Sequence, residues 1–140
     1  MADDDGLVSQ TANGTFTVDI SQRPSDADTE GLGQMQLRKT WSGAIEATGW
    51  GLMISGGDPA SGTAGYVAME VVQGTLDDRA GSFALQQFGT MREGRPHLFY
   101  EIVPGSGTGE LAGIGGTVEL TIEDGSHLYA LTYDLPSDGG

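Results

Sequence analysis

Glycine residues divide this chain into short segments, and their spacing limits the folds that it can adopt. The chain has 24 glycines among 140 residues, and the segments between them are rich in Val, Ile, Thr, Phe and Tyr. Apolar and polar residues alternate in several of these segments, as in TFTVDI at residues 15–20. Alternation with a period of two is typical of strands with one buried and one wet face. The pattern predicts eight strands, at residues 14–20, 33–43, 44–55, 66–76, 81–91, 97–103, 116–123 and 127–135.

Eight antiparallel strands of this kind favour a closed barrel. Closure leaves no sheet edge exposed, and it encloses an interior that is either filled or able to hold one small ligand. We therefore expect an all-β fold, an eight-stranded antiparallel closed β-barrel with little helix, and a two-sheet sandwich is the alternative. The length predicts a single domain over residues 1–140. Because both ends are polar, residues 1–12 and 136–140 are predicted to be flexible.

The charge of the chain and its lack of cysteine exclude several kinds of partner and chemistry. Twenty acidic and six basic side chains give a formal net charge of -14, which repels nucleic acid and anionic membranes. Without cysteine there is no disulfide and no thiolate metal site. The chain has no signal-like start, and no apolar run approaches the roughly 20 residues of a membrane helix. We predict a cytoplasmic protein without nucleic-acid or membrane partners, and homo-oligomerisation stays open.

The densest glycine run, VPGSGTGELAGIGG at residues 103–116, resembles a phosphate-binding loop in composition. Such a loop needs a helix directly after it, with the positive end of the helix aimed at the phosphate. The segment after this run, TVELTIE from Thr117, alternates like a strand, and Pro104 interrupts the run itself. We therefore predict a corner between two strands, with at most one short helical turn at residues 109–113, and no nucleotide cofactor.

Several segments of the chain resemble DUF3224, a family of small bacterial proteins of unknown function. These segments are KTWSG (39–43), EVVQGTLDDRAGSF (70–83), ALQQFGT (84–90) and VPGSGTGELAGIGG (103–116). The similarity extends from about Gly14 to Tyr133. The family is similar in fold to the barrel of allene oxide cyclase, so the resemblance implies an allene oxide cyclase-like barrel here. The chain departs from the family pattern at Gln87, where histidine is common, and at Asp77 and Asp78, in a turn usually rich in glycine.

Two charged residues occur in strand segments that are otherwise apolar. Lys39 shares its strand face with Met35, Leu37 and Trp41, and Glu70 lies within YVAMEVV. Charged side chains are rarely buried unless they are paired. We hypothesise that Glu70 and Lys39 face the lumen as a catalytic acid and base pair. For each of them, a position on the outer, wet face of the barrel is the alternative.

Aromatic and polar residues near this pair are candidates for the wall of a ligand cavity, because such cavities combine aromatic walls with a few polar groups. The candidate substrate-binding residues are Trp41, Trp50, Tyr66, Met69, Gln87 and Tyr100. A role in the core or at an interface is the alternative. The direction of Trp50 cannot be read from alternation alone, since a strand bulge at Gly49 or Gly51 would turn it to the other face.

The remaining motifs exclude rather than identify chemistry. His97 and His127 stand alone, so no metal site is predicted, and no G-x-S-x-G motif indicates a nucleophilic serine. Together with the resemblance to a cyclase barrel, this leads to the hypothesis of a cofactor-free cyclase or isomerase. Its substrate in the lumen would be a flexible, largely apolar small molecule, such as a polyketide-like compound. The alternatives are a barrel that binds a small ligand without catalysis and a structural protein with a filled barrel.

Overall fold

The computed structural model describes residues 7–24 and 27–136, which form one closed barrel of eight antiparallel strands. The strands are β1 (Leu7–Gln22), β2 (Gly33–Gly43), β3 (Ile45–Asp58), β4 (Thr63–Leu76), β5 (Arg79–Arg92), β6 (Arg95–Ile102), β7 (Gly115–Glu123) and β8 (Ser126–Pro136). Consecutive strands pair with each other, and β8 pairs back with β1. The prediction of an all-β, eight-stranded closed barrel is confirmed.

Most strands are longer than the alternation predicts, whereas β2 has the predicted bounds. β1 begins at Leu7 and not at residue 14, and residues 7–12, predicted to be flexible, pair with β8 as far as Pro136. The physical reason is closure, because these residues supply the backbone hydrogen bonds that close the first strand on the last. Residues 1–6 and 137–140 lie outside the described residues.

Helical structure in the described residues is limited to three short 3₁₀ turns. They are Ala27–Thr29, Pro59–Ser61 and Gly109–Leu111, each of three residues. The expectation of little helix is confirmed. Within the part of the chain that is described, no helix has the length and apolar character to cross a membrane.

Two-residue turns make three of the hairpins. They lie at Asp77-Asp78, Glu93-Gly94 and Asp124-Gly125, and all six residues have positive φ angles, between 48° and 81°. Turns of this type match the twist of the flanking strands, which is why they favour Asn, Asp and Gly. Asp77 and Asp78 therefore fit the turn that they occupy.

The glycine-rich corner lies between the end of β6 and the start of β7, at one end of the barrel, and it is bonded to β5 through Val103, Ser106 and Thr108. Leu111 in its 3₁₀ turn and Ile114 after the turn belong to the same core cluster as Phe83 and Tyr133. A Cβ atom at Gly107 would lie 2.0 Å from the carbonyl oxygen of Leu111, so no larger residue fits there. The prediction of a corner with one short helical turn is confirmed. We call Phe83, Leu111, Ile114 and Tyr133 the closed end of the barrel.

Candidate functional site

Lys39 and Glu70 meet inside the barrel. β2 and β4 direct these side chains into the lumen, where they are 5% and 2% exposed, and Lys39 Nζ lies 2.9 Å from Glu70 Oε1. Tyr100 on β6 completes the group, since its hydroxyl donates to the same oxygen at 2.7 Å and accepts a hydrogen bond from Lys39 Nζ at 3.1 Å. We call these three residues the buried triad. A position on the outer face is excluded for both charged residues.

Aromatic rings surround the buried ammonium group of Lys39. Its Nζ atom lies 4.4 Å from the ring centroid of Phe16, 5.4 Å from that of Trp41 and 5.5 Å from that of Tyr100. The negative faces of aromatic rings attract a cation, and this attraction grows where water is excluded. The rings and the Glu70 carboxylate together explain how the barrel holds a lysine in its interior.

Two polar atoms, one in the triad and one beside it, have no hydrogen-bond partner among the described residues. They are Glu70 Oε2 and Trp41 Nε1, and both are buried. Buried polar atoms in proteins are usually bonded, so an unbonded carboxylate oxygen at this place can accept a further donor. Glycines on β3 leave room for the two side chains, because a Cβ at Gly49 would lie 3.1 Å from Trp41 Nε1 and one at Gly51 would lie 2.8 Å from Glu70 Cβ.

The tyrosines near Glu70 are held in their neutral form. Burial raises the pKa of Tyr100 well above its usual value of 10.0, and the negative charge of Glu70 raises it further. Burial also raises the pKa of Tyr66, with a smaller contribution from Glu70. Both hydroxyl groups therefore stay protonated at neutral pH and act as hydrogen-bond donors toward the interior.

A cavity of about 380 Å³ opens at the end of the barrel opposite the glycine-rich corner. Its wall is mainly apolar and comes from β2 to β6, with Met35, Met53, Tyr66, Met91, Pro96 and Leu98 as its larger side chains. We call this the mouth cavity and this end of the barrel the open end. A larger depression, of about 440 Å³, lies over β1, β7 and β8 and contains no member of the buried triad.

Tyr66 connects the mouth cavity with the buried triad. Its side chain lines the cavity, and its hydroxyl donates to Gln87 Oε1 at 2.9 Å. Gln87 lies directly opposite Tyr100 in the pairing of β5 with β6, and Glu70 lies four residues beyond Tyr66 on the same face of β4. A Cβ at Gly89 would lie 2.4 Å from Tyr66 Cε1, so glycine at this position makes room for the ring.

Trp50 and Met69 do not face the lumen, and the prediction that they shape it is wrong. They lie on the outer face of the barrel, 38% and 51% exposed. β3 pairs regularly with β2 through Gly49 and Gly51, so no bulge turns Trp50 inward. Met69 directly precedes Glu70 in a strand, and adjacent strand residues point to opposite faces.

The other predicted substrate-binding residues divide between the cavity, the triad and the core. Tyr66 lines the cavity, Gln87 bonds to Tyr66, and Tyr100 belongs to the triad. Trp41 is buried in the core, with its ring centroid 4.8 Å from that of Phe16. It therefore lies beside Lys39 and not in the cavity.

Phe16 and the methionines Met35, Met53 and Met91 were not among the site residues predicted from the sequence. The signal for the methionines was their position on the inner face, since Met35 shares a strand face with Lys39 and Met91 with Gln87. Phe16 on β1 contacts Lys39 on the neighbouring strand β2. This contact depends on the register in which the two strands pair, and the sequence of one strand does not show that register.

Neither histidine belongs to a cluster of metal ligands. His127 stacks on Phe16 with ring centroids 5.0 Å apart, and His97 lies near Phe88 at 6.4 Å. In residues 7–24 and 27–136, no three His, Cys, Asp or Glu side chains come together in a way that could hold a metal ion.

The chain resembles proteins whose function is unknown. The profile of the family described as "Protein of unknown function (DUF3224)" matches residues 12–133. A DUF3224 protein of unknown function from Shewanella oneidensis MR-1, known from its crystal structure, is 42% identical in sequence, with a TM-score of 0.84. The match covers 90% of this chain and 96% of that one. No curated protein matches. The sequence match and the shared barrel together establish that this chain belongs to the DUF3224 family.

Proposed function

We propose that this barrel binds a compact, largely apolar small molecule in the mouth cavity. The observation that carries the proposal is the cavity itself, with its volume of about 380 Å³ and its mainly apolar wall. Sites for small molecules typically measure roughly 300–1,000 Å³ and combine an apolar wall with a few polar groups that orient the ligand. Tyr66 supplies such a group here.

The side chains of the cavity suggest the chemistry of the ligand. Met35, Met53 and Met91 have unbranched, polarisable side chains that adapt to irregular apolar shapes. The hydroxyl of Tyr66 can bond a hydroxyl or carbonyl group of the ligand. The net charge of -14 disfavours anions. We therefore expect a neutral, mainly apolar molecule with one hydroxyl or carbonyl group.

A thermal-shift screen of neutral, apolar compounds tests this proposal. A ligand present at 100 times its Kd raises the free energy of unfolding by about 2.7 kcal/mol, whether or not it reacts. Met53→Trp fills the cavity and should abolish the stabilisation and the heat of binding in calorimetry. Ile122→Trp is the matched control and should bind as the wild type does, because Ile122 lies near the end of β7, is 64% exposed and does not line the cavity. Equal binding by Met53→Trp would contradict the proposal.

A second candidate function is the cofactor-free isomerisation or cyclisation of the bound molecule. The observation that favours it is Glu70 Oε2, a buried oxygen without a partner, on a carboxylate whose other oxygen is held by Lys39 and Tyr100. In this proposal Glu70 Oε2 takes a proton from a carbon of the substrate and returns it at another carbon. The product then has the same mass, and no oxidant or reductant is needed. Positioning of a flexible substrate can lower the barrier further, by at most about 7–11 kcal/mol.

Replacement of Glu70 separates a catalytic role from a structural one. Glu70→Gln leaves the Lys39 charge buried and unpaired, which should cost about 3–5 kcal/mol of stability. The double variant Lys39→Met with Glu70→Gln removes both charges and should recover much of this loss. If Glu70 is catalytic, folded double variant should bind a ligand found in the screen but form no product of equal mass in mass spectrometry. If product formation in the variants falls only in proportion to the folded fraction, Lys39 and Glu70 contribute to stability alone.

A further inference from the structure

The outside of the wall that encloses the mouth cavity is apolar. Seven large apolar side chains of β3 to β6 point outward there and are 38–54% exposed. They are Trp50, Leu52, Ile54, Val67, Met69, Phe88 and Phe99. We call these seven residues the apolar face. Two of them, Trp50 and Met69, belong to the six residues that were predicted from the sequence to bind the substrate.

The pairing register makes the apolar face one continuous surface. Ile54 lies opposite Val67, Val67 lies opposite Phe88, and Phe88 lies opposite Phe99. The rings of Phe88 and Phe99 stack with their centroids 5.4 Å apart. Directly opposite side chains on one face of a sheet lie in contact distance of each other. The seven residues therefore form a patch that spans four strands, unlike isolated apolar residues elsewhere on the surface.

The apolar face differs in charge from the rest of the protein. None of its seven side chains is charged, although the chain has a net charge of -14. Exposed arginines lie at its borders, with Arg38 opposite Trp50 and with Arg92 and Arg95 in the β5–β6 hairpin. Two copies of so acidic a protein repel each other wherever carboxylates meet. The seven residues themselves bring no carboxylates together, and the carboxylate at their border, Glu101, accepts a hydrogen bond from Gln86 Nε2 at 2.9 Å.

The area of the apolar face fits a small dimer interface. The exposed fractions of its seven residues correspond to roughly 600 Å², so two copies face to face would bury at most roughly 1,200 Å², which is the lower end for specific interfaces. Monomeric proteins rarely expose a continuous apolar patch of more than a few hundred Å². An anionic membrane is a poor occupant, because the charge of the whole protein repels it.

We infer that this chain forms a symmetric homodimer in which the apolar faces of two copies pack against each other. A two-fold axis through the face brings the same residues of both copies together, as in most dimers. Aromatic side chains near the centre of an interface usually carry most of the binding energy. Phe88 lies opposite Val67 within the face, whereas Trp50 lies at its border, opposite Arg38. The dimer would also cover the outside of the cavity wall.

Sedimentation velocity over a range of concentrations tests the dimer. Wild-type protein should sediment with twice the mass of one chain. Met69→Lys and, separately, Val67→Lys place an ammonium group in the interface, and each should weaken the dimer about 100-fold. Ile122→Lys is the matched control, because Ile122 on β7 is 64% exposed and lies outside the apolar face. It should remain dimeric. Circular dichroism and thermal melting check that each half-exposed position tolerates lysine.

Three results would overturn the inference. The first is a wild-type protein that stays monomeric at the highest concentration used, since the face would then serve another partner. Sedimentation of that monomer with phosphatidylcholine vesicles would assign the face to a lipid surface instead. The second is a folded Met69→Lys or Val67→Lys variant that still dimerises as the wild type does. The third is dissociation of Ile122→Lys to the same extent, which would indicate a general effect of charge.

Discussion

The closed end and the open end of this barrel differ in what occupies the space between the strands. At the closed end, Leu111 of the glycine-rich corner and Tyr133 of β8 are 1% and 0% exposed. At the open end, Met91 and Leu98 are 39% and 37% exposed and line a cavity. One end thus contributes packing and the other leaves space. Packing for stability and space for the proposed ligand are therefore separated along the barrel axis, and substitutions at each end test this separation.

The largest difference is expected from truncating a leucine at each end. Leu111→Ala leaves a cavity in a packed region, so it should lower the free energy of unfolding by about 2–5 kcal/mol. Leu98→Ala removes a side chain that already faces space and should cost less than about 1 kcal/mol. Urea unfolding of both variants measures the difference. Similar losses would mean that the open end is as tightly packed as the closed end.

Tyr133→Phe should have the next largest effect. The Tyr133 hydroxyl donates to Asp77 Oδ2, and burial together with Asp77 raises the pKa of Tyr133 to about 12. Loss of a hydrogen bond to a charged group should cost about 1.5–3 kcal/mol at neutral pH.

The raised pKa of Tyr133 also predicts how the free energy of unfolding changes at alkaline pH. In unfolded protein the tyrosine ionises near its ordinary pKa of 10.0, whereas in folded protein it stays protonated to about 12. The stabilisation is therefore complete below pH 10 and is lost as the pH rises from 10 toward 12. Urea unfolding at pH 8, 10 and 11 should show a smaller decline for Tyr133→Phe than for the wild type. If the free energy of unfolding falls equally with pH in both proteins, Tyr133 does not contribute to the loss of stability at alkaline pH.

Gly89→Ala should affect binding more than stability. The added Cβ would meet the ring of Tyr66, so the ring must move and the mouth cavity must change shape. Overpacking of this kind typically costs about 1–3 kcal/mol. Gly56→Ala is the control at the same end, since its Cβ meets only Leu32 Cδ2, at 4.0 Å. A ligand from the screen should bind more weakly to Gly89→Ala and unchanged to Gly56→Ala. If calorimetry finds unchanged binding to Gly89→Ala, Tyr66 does not belong to the binding site.

The smallest effect is expected for Tyr66→Phe. It removes the hydrogen bond to Gln87, which is only partly buried, and should cost about 0.5–1.5 kcal/mol of stability. A ligand bound through its hydroxyl or carbonyl group should lose affinity by about tenfold, since 1.4 kcal/mol corresponds to that factor. A purely apolar ligand should bind this variant as well as it binds the wild type.

The fold could be predicted from the sequence because its main signal is local. A period of two along each strand and glycines between the strands indicated eight strands and a barrel. The strand ends were predicted less well, since partner strands and not neighbouring residues determine where pairing stops. β1 shows this, because its first residues are ordered by hydrogen bonds to β8.

The candidate site was predicted in part. Lys39 and Glu70 were detectable as charges within apolar segments, and their pairing follows from the barrel. Met69 was placed wrongly although its position next to Glu70 already directs it to the other face. The position of the mouth cavity could not be predicted from the pattern within single strands. Whether an end of a barrel is open depends on which residues the connecting segments place there. Catalysis, the ligand and the likeness to allene oxide cyclase stay predictions.

Closure through β1 and β8 has a consequence for how the protein is made. Leu7 pairs with Pro136 and Phe16 pairs with His127, so this seam joins residues about 110–130 positions apart, whereas every other seam joins consecutive strands. During synthesis the earlier hairpins can form as they leave the ribosome, but the barrel cannot close until β8 has emerged. Until then β1 and β7 each present an unpaired edge, and a chain stalled before residue 126 would be a template for aggregation.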